Sequence, residues 1–190
     1  MNWPSKAGMF LILAVVGTPA QKVAKHSTFP PATKTVSPES YDVYSALISQ
    51  LYGDLLRRNI PVNIAAHTTV PDHDHGDLIA HCTSGTKDEA DRELIRQLFA
   101  EDQRPQKLKA KLTLPVPCSI IEGKMHIRDG KEPGLVWLSI VVFSKDRLHA
   151  MVWTRNYCGI LCGGGSIWKL DLTTNGWRIA GNVPNCGFIS

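Results

Sequence analysis

Hydrophobic residues recur along this chain at two different periods, and the change of period divides it. From Ser37 onward, Tyr44, Leu47, Ile48, Leu51 and Leu55 fall at helical spacing. Ser37 is a capping residue type, Pro38 suits a first helical position and Glu39 sits in the first turn. The pattern predicts an amphipathic helix of about four turns ending near Arg58. In "IPVNIAAHTTV", Val62, Ile64 and Ala66 alternate with other residues, which is the period of a strand. "PDHDHGDLIAHCTSG" reads as a polar loop. A second helix is predicted from the capping pair Thr86 and Glu89, with Ala90, Leu94, Ile95, Leu98 and Phe99 on its apolar side and a stop by Pro105. "AKLTLPVPCSII" is strand-like, but Pro115 and Pro117 push it to a sheet edge or an irregular path.

The last third has the period of a sheet. "LVWLSIVVF" predicts a near-continuous strand from Leu135 to Phe143, "SKDR" a turn, and "LHAMVWTRNY" a returning strand from Leu148 to Tyr157. "SIWKLDL" places Trp168, Leu170 and Leu172 on one face, and Asn175-Gly176 in "TTNG" is a hairpin signal. "WRIA" then puts Trp177 and Ile179 on one face and Arg178 on the other. The predicted fold is α+β, with two helices packed on a C-terminal antiparallel β-meander of about four strands and covering its apolar face.

Composition adds bounds. The chain has 190 residues, 43% hydrophobic and 20% charged, which is ordinary for a globular protein with its own core. The net charge of +4 is spread without a dense basic stripe, so nucleic acid is not an expected partner. At the N-terminus, Lys6, the apolar run Ala7 to Val16 and the small residues Thr18 and Ala20 have the layout of a secretory signal peptide over residues 1–20, cut after Ala20. A short membrane anchor or a mis-chosen start codon is the other reading of that run, which is shorter than the ~20 residues a span requires. The processed chain is therefore expected to be periplasmic or secreted, and not an integral membrane protein. Residues 21–38, polar and proline-bearing, read as a flexible leader, and residues 39–190 as a single α+β domain.

Export changes the meaning of the cysteines, because disulfides persist outside the cytosol. Cys82, Cys118, Cys158, Cys162 and Cys186 make an odd number, so at most two bridges form within one chain. The stretch "NYCGILCGGGSIWKLD" carries two of them. A phosphate-binding loop is excluded because Gly165 stands where its lysine must be and a strand follows. A zinc site wants four ligands, usually with C-x-x-C spacing, and a thioredoxin-like pair wants a helix start. The reading that remains is a hairpin loop stapled by Cys158 and Cys162, contributing about 2 kcal/mol, with Gly159, Gly163, Gly164 and Gly165 shaping a tight bend. Cys162–Cys186 and Cys158–Cys186 are the rival pairings.

"CGILCGGGSIWKLDLTTNGWRI", preceded by "SIVVFSKDRLHAMVWTRNY", resembles a group of uncharacterised bacterial exported proteins whose C-terminal part has a CG-x-x-CG-x-G turn between strands and a later tryptophan. The matching residues are Cys158, Gly159, Cys162, Gly163, Gly165 and Trp177. "YDVYSALISQLY" followed by "IPVNIAAHTT" resembles the group's first helix and strand, while the middle of the chain is not covered. The resemblance implies architecture and export, and no reaction. Cys82, Cys118 and Cys186 lie outside its pattern.

Two further stretches could hold chemistry. "HTTVPDHDHGDLIAHC" gathers His67, Asp72, His73, Asp74, His75, Asp77, His81 and Cys82. On an extended segment His73 and His75 point the same way and could share a zinc or copper ion, with His67 or His81 as a third ligand and an open position for water. A solvated loop is the plainer reading, since the spacing matches no metal motif such as H-E-x-x-H. Trp137, Trp153, Trp168 and Trp177 could line a ligand groove, but tryptophans at period two more often build core. There is no G-x-S-x-G elbow, no pattern ties Ser139, Ser144 or Ser166 to a histidine and an acid, and His81-Cys82 are only neighbours in sequence. His126 and His149 read as structural. The leading expectation is an exported cell-envelope binding or interaction module, needing no cofactor, that recognises an unidentified envelope or extracellular ligand. The competing one is a metal-dependent hydrolase built on His73 and His75.

Overall fold

The structure is a computed structural model. It describes residues 34–60, 62–69, 76–100, 104–108, 118–122, 134–159 and 162–189, with the side chains of 34, 76–78, 158–159, 162 and 188–189 excepted. The expected signal peptide and most of the expected leader lie outside these residues. The leader ends earlier than its composition implied. Lys34–Thr35 form a short strand, β1, and Val36 is buried in the core.

Helix α1, Pro38–Leu51, starts as its sequence predicts. Ser37 Oγ accepts the Ser40 N–H at 3.2 Å, and Pro38 fills the first turn where no donor is needed. Val43, Tyr44, Leu47 and Ile48 are fully buried along one side. The predicted single helix is interrupted at Tyr52, after which α2, Gly53–Arg57, forms a separate short turn. Asn59, in the left-handed region at φ 61°, then reverses the chain into β2, Val62–Ala65.

The segment expected as a polar loop is helical where it is described. Helix α3, Gly76–Gly85, buries Cys82 fully and packs Ile79 against the same cluster. Apolar contacts three residues apart on a short amphipathic stretch outweighed its loop-like composition. Helix α4, Glu89–Leu98, is capped by Asp88, whose carboxylate accepts the Ala90 N–H at 2.9 Å. Thr86 therefore has a different job from the one predicted. It is buried and donates to the Cys82 carbonyl at 2.9 Å, satisfying the end of α3 instead of the start of α4.

β3, Gln106–Lys107, pairs in parallel with β1 as a small ribbon. The remaining strands are β4 (Cys118–Ile121), β5 (Leu135–Leu138), β6 (Val142–Phe143), β7 (His149–Gly159), β8 (Cys162–Thr173), β9 (Gly176–Asn182) and β10 (Phe188–Ile189). With β2 they form an eight-stranded sheet ordered β10-β8-β7-β5-β2-β4, in which β6 also pairs with β7 and β9 with β8. The C-terminal meander is antiparallel, as predicted, while β2 is parallel to both β4 and β5. β4 sits at the edge, where its proline-bearing approach placed it.

The predicted strand from Leu135 to Phe143 is broken in two at Ser139. Ser139 donates its N–H to the Trp153 carbonyl and accepts the Trp153 N–H on its hydroxyl, both at 2.9 Å. Its own carbonyl accepts the buried Tyr44 hydroxyl at 2.7 Å. The hairpin at Thr173 closes as predicted, with Gly176 at φ 94° as the left-handed residue and Asn175 outside that region.

The two predicted helical regions pack on the sheet, but on opposite faces. α1 covers Ala150 and Val152 of β7, Leu170 of β8 and Trp177 of β9. α3 and α4 cover Met151 and Trp153 of β7 and Ile167 of β8. The run Ala150-Met151-Val152-Trp153 is buried residue after residue, which is how a strand covered on both faces reads.

Candidate functional site

Alternation along β7 and β8 decides where a site can form. On the α1 face the even positions run Ala150, Val152, Thr154, Asn156 on β7, and Leu170, Trp168, Ser166, Gly164 on β8, paired Ala150 with Leu170, Val152 with Trp168, Thr154 with Ser166 and Asn156 with Gly164. The first pair is buried under α1. Beyond Val152 the face turns polar, and there α1 ends at Leu51 and Tyr52. The step from apolar to polar residues coincides with the end of the helix that covers them, which leaves an open groove of about 290 Å³. One wall is Leu51 and Tyr52, and the floor is the Thr154–Asn156 and Gly164–Trp168 part of the ribbon.

Among the described residues no carboxylate, amine, imidazole or thiol lines the groove. Burial pushes the Tyr52 phenol up to about 12, so it stays protonated at neutral pH. Trp168 Nε1 donates to Thr154 Oγ1 at 2.9 Å, which holds the half-buried indole across the floor. Gly164 and Gly165 pair with β7 on one side and with β10 on the other, so their backbone groups are engaged in the sheet.

The cysteine–glycine stretch is more extended than its composition implied. A bend over 158–165 is expected, but Gly159 stands opposite Cys162 in the register and Gly163, Gly164 and Gly165 continue β8 as strand, while residues 160–161 lie outside the described residues. These glycines are therefore ribbon residues, and the loop-shaping role assigned to them applies at most to Gly159. The side chains of Cys158 and Cys162 lie outside the described residues. Among the described residues the disulfide is Cys82–Cys186, with Cα atoms 5.0 Å apart. It excludes both rival pairings that used Cys186. Cys118 is free, and burial pushes its thiol up to about 11, away from nucleophilic reactivity. Sequence offered no means of choosing Cys82 for Cys186, because 104 residues separate them.

The clamp has steric consequences. A Cβ on Gly85, at the end of α3, would lie 3.3 Å from the Pro184 carbonyl, so glycine admits the close approach of the turn preceding Cys186. A Cβ on Gly187 would lie 3.0 Å from the Gly165 carbonyl and 3.2 Å from Ser166 Oγ. The bridge and these glycines together seat β10 against the glycine part of β8.

The members of the expected metal set are only partly described. His73 and His75 lie outside the described residues. His67 is exposed after β2, where its backbone bridges Lys107, and His81 is exposed on α3. Among the described residues no group of three or more His, Cys, Asp or Glu could hold an ion. His149 faces Asp171 across β7 and β8, Nδ1 to Oδ1 at 2.7 Å, and both are partly exposed. The four tryptophans are not one stripe. Trp153 lies in the cluster under α4, Trp177 in the cluster under α1, Trp137 lies beneath the Arg155 guanidinium, and only Trp168 lines the groove.

No protein-family model, no curated protein and no solved structure matches this chain. Among the described residues no helix is long and apolar enough to cross a membrane.

Proposed function

We propose that this protein is an exported binding or interaction module of the bacterial cell envelope, held together by disulfides and recognising a ligand in the groove beyond α1. The observation that carries the reading is the groove itself. It offers uncharged hydrogen-bonding groups and an aromatic surface, and among the described residues no group suited to acid–base or nucleophilic chemistry at neutral pH. Its setting supports binding too, because a site on paired strands keeps its shape without a ligand.

Export is supported by the signal-like N-terminus and by the Cys82–Cys186 bridge, since such bonds persist in oxidising compartments. With Cys186 joined to Cys82 and Cys118 free, Cys158 and Cys162 have only each other as partners within the chain. A Cys158–Cys162 staple is part of the reading, as is kinship with the bacterial exported proteins that its C-terminal motif resembles.

The test is fractionation of cells expressing the full chain, followed by non-reducing peptide mapping. The expected product is cleaved after Ala20, is found in the periplasm or medium, and contains 82–186 and 158–162 linked peptides. Uncleaved protein in the cytosol with free thiols at Cys82 and Cys186 overturns the reading. Elemental analysis of the same material checks the metal-dependent alternative: stoichiometric zinc or copper that is lost in a His73→Ala/His75→Ala double variant would replace the binding module by that alternative.

A further inference from the structure

We propose that the groove binds a neutral saccharide, with the Trp168 indole as its stacking surface and Tyr52, Asn156 and Ser166 as its hydrogen-bonding partners. This rests on the binding-module reading and deepens it by naming the class of ligand.

The lining selects that class by elimination. An anionic ligand such as a phosphate or carboxylate calls for a cation or the N-terminus of a long helix, and among the described residues the groove has neither: α1 presents its C-terminal end there, and α2, which starts at Gly53, is a single five-residue turn. A cationic ligand calls for a carboxylate, and among the described residues none lines the wall or floor. An extended peptide is recognised largely through main-chain hydrogen bonds at a free strand edge. Here the floor backbone is already paired, Arg155 and Asn156 with Gly165 and Gly164, and those glycines with Phe188 and Ile189. What the groove still offers is side-chain chemistry.

That chemistry fits a pyranose. The phenol of Tyr52, the amide of Asn156 and the hydroxyl of Ser166 supply donors and acceptors, and none makes a side-chain hydrogen bond within the described structure. The indole is pinned by its bond to Thr154 Oγ1, so its ring need not be ordered on binding. The electron-rich face of an indole attracts the axial C–H bonds of a sugar ring, while hydroxyl and amide groups bond its rim. The absence of side chains at Gly164 and Gly165 keeps the floor beside the indole open to a flat ring. The groove's volume of about 290 Å³ lies at the small end of ligand sites, which suits one or two sugar units of a longer chain crossing an open surface.

The experiment is titration of the oxidised protein with chitotetraose, cellotetraose and maltotetraose, followed by calorimetry and by saturation-transfer NMR. The first probe represents amino-sugar polymers of bacterial walls, and the other two represent neutral glucans. The expected result is saturable binding of at least one probe, with C–H signals of the sugar saturated from aromatic protons. Trp168→Ala should weaken binding by at least about tenfold and Trp168→Phe by less, as for an aromatic anchor. Asn156→Ala should weaken it by about threefold or more and serves as the variant if Trp168→Ala does not fold. The proposal is overturned if folded wild-type protein binds none of the three at millimolar concentration. It is equally overturned if binding is unchanged in both Trp168→Phe and Asn156→Ala, or if an uncharged Ala-Ser peptide binds and the sugars do not. The two readings fail separately: a processed, disulfide-linked, exported protein that ignores all three sugars remains a binding module of another ligand class. A cytosolic protein with free thiols that binds sugar at Trp168 keeps the groove assignment and loses the envelope role.

Discussion

The two faces of the β7–β8 ribbon are covered by different means. On one face, a single 14-residue helix supplies Val43, Tyr44, Leu47 and Ile48, all fully buried, and one buried hydrogen bond from Tyr44 to the kink at Ser139. On the other, two ten-residue helices supply a smaller cluster, tied to the sheet by the Cys82–Cys186 bridge and by Lys169 reaching Asp91 at 2.8 Å. The lesson is that one long helix with a continuous apolar side rests mainly on packing, with the Glu39–Arg147 pair and the bond from Ile179 N–H to Gln50 at its ends, whereas two short helices with a polar outer surface add a covalent tie to their ion pair. The groove belongs to the first face and opens where its helix stops, while the seat of β10 beside that groove depends on the second.

The sharpest way to break this comparison is to remove the tie. Cutting a bridge that closes a loop of 104 residues should lower stability by about 4 to 5 kcal/mol on the chain-entropy account. Cys82→Ala/Cys186→Ala, compared with wild type in denaturant, measures it. Hydrogen exchange should show early loss of protection in α3 and β10, with α1 retaining its own. Equal loss on both faces would mean that the faces are not independently supported.

The matching change on the first face is Leu47→Ala, expected to cost about 3 kcal/mol as a buried leucine truncation. Its exchange pattern should be the reverse, with α1 opening first. Tyr44→Phe is smaller, about 1 to 3 kcal/mol, because it leaves the Ser139 carbonyl without its buried donor. Burial holds the Tyr44 phenol far above its ordinary value, with Tyr41 beside it adding to the shift, so this bond should persist into alkaline solution.

Lys169→Met tests the ion pair on the second face, whose side chains are 25% and 18% exposed, and should cost about 1 kcal/mol or less. The smallest effect is on the outside of α4. Hydrogen bonds from Arg96 and Arg92 hold the Glu89 carboxyl below its usual range, and those from Gln97 and Arg96 do the same for Glu93. A depressed folded-state pKa stabilises above the ordinary carboxylate value and is lost as pH falls through the lowered one. Acid should therefore loosen α4 slightly, and salt should shrink the difference because both side chains are exposed. Thermal melts at two ionic strengths between neutral and acid pH would show it.

Much of the fold was legible in the sequence where one rule acted alone. Ser37-Pro38 placed the start of α1, the period-two runs placed β7, β8 and β9, and Asn175-Gly176 placed their hairpin, because capping, alternation and turn preference are local. The reading failed where two local signals competed. Thr86 and Asp88 are both capping types, and only contact with the Cys82 carbonyl assigned Thr86 to the preceding helix. "GDLIAHCTSG" has too few apolar residues to declare a helix until Cys82 and Ile79 find partners across the sheet. The candidate site is half legible. Trp168 stands among the tryptophans that could line a ligand groove and Ser166 among the serines without a triad, but nothing local singles out Tyr52, Thr154 or Asn156, although alternate positions on β7 do turn from apolar to polar at Thr154.

By itself, the order of residues determined where α1 and α4 coil and where β7, β8 and β9 extend, since those elements depend on neighbours within a few positions. It also bounded the bridges, because an odd number of cysteines must leave one over. Only the tertiary structure decided that the helices lie on opposite faces, that Cys186 meets Cys82, and that the polar end of the ribbon stands uncovered beside Tyr52. Those outcomes depend on contacts between residues distant in the chain, which no local period encodes.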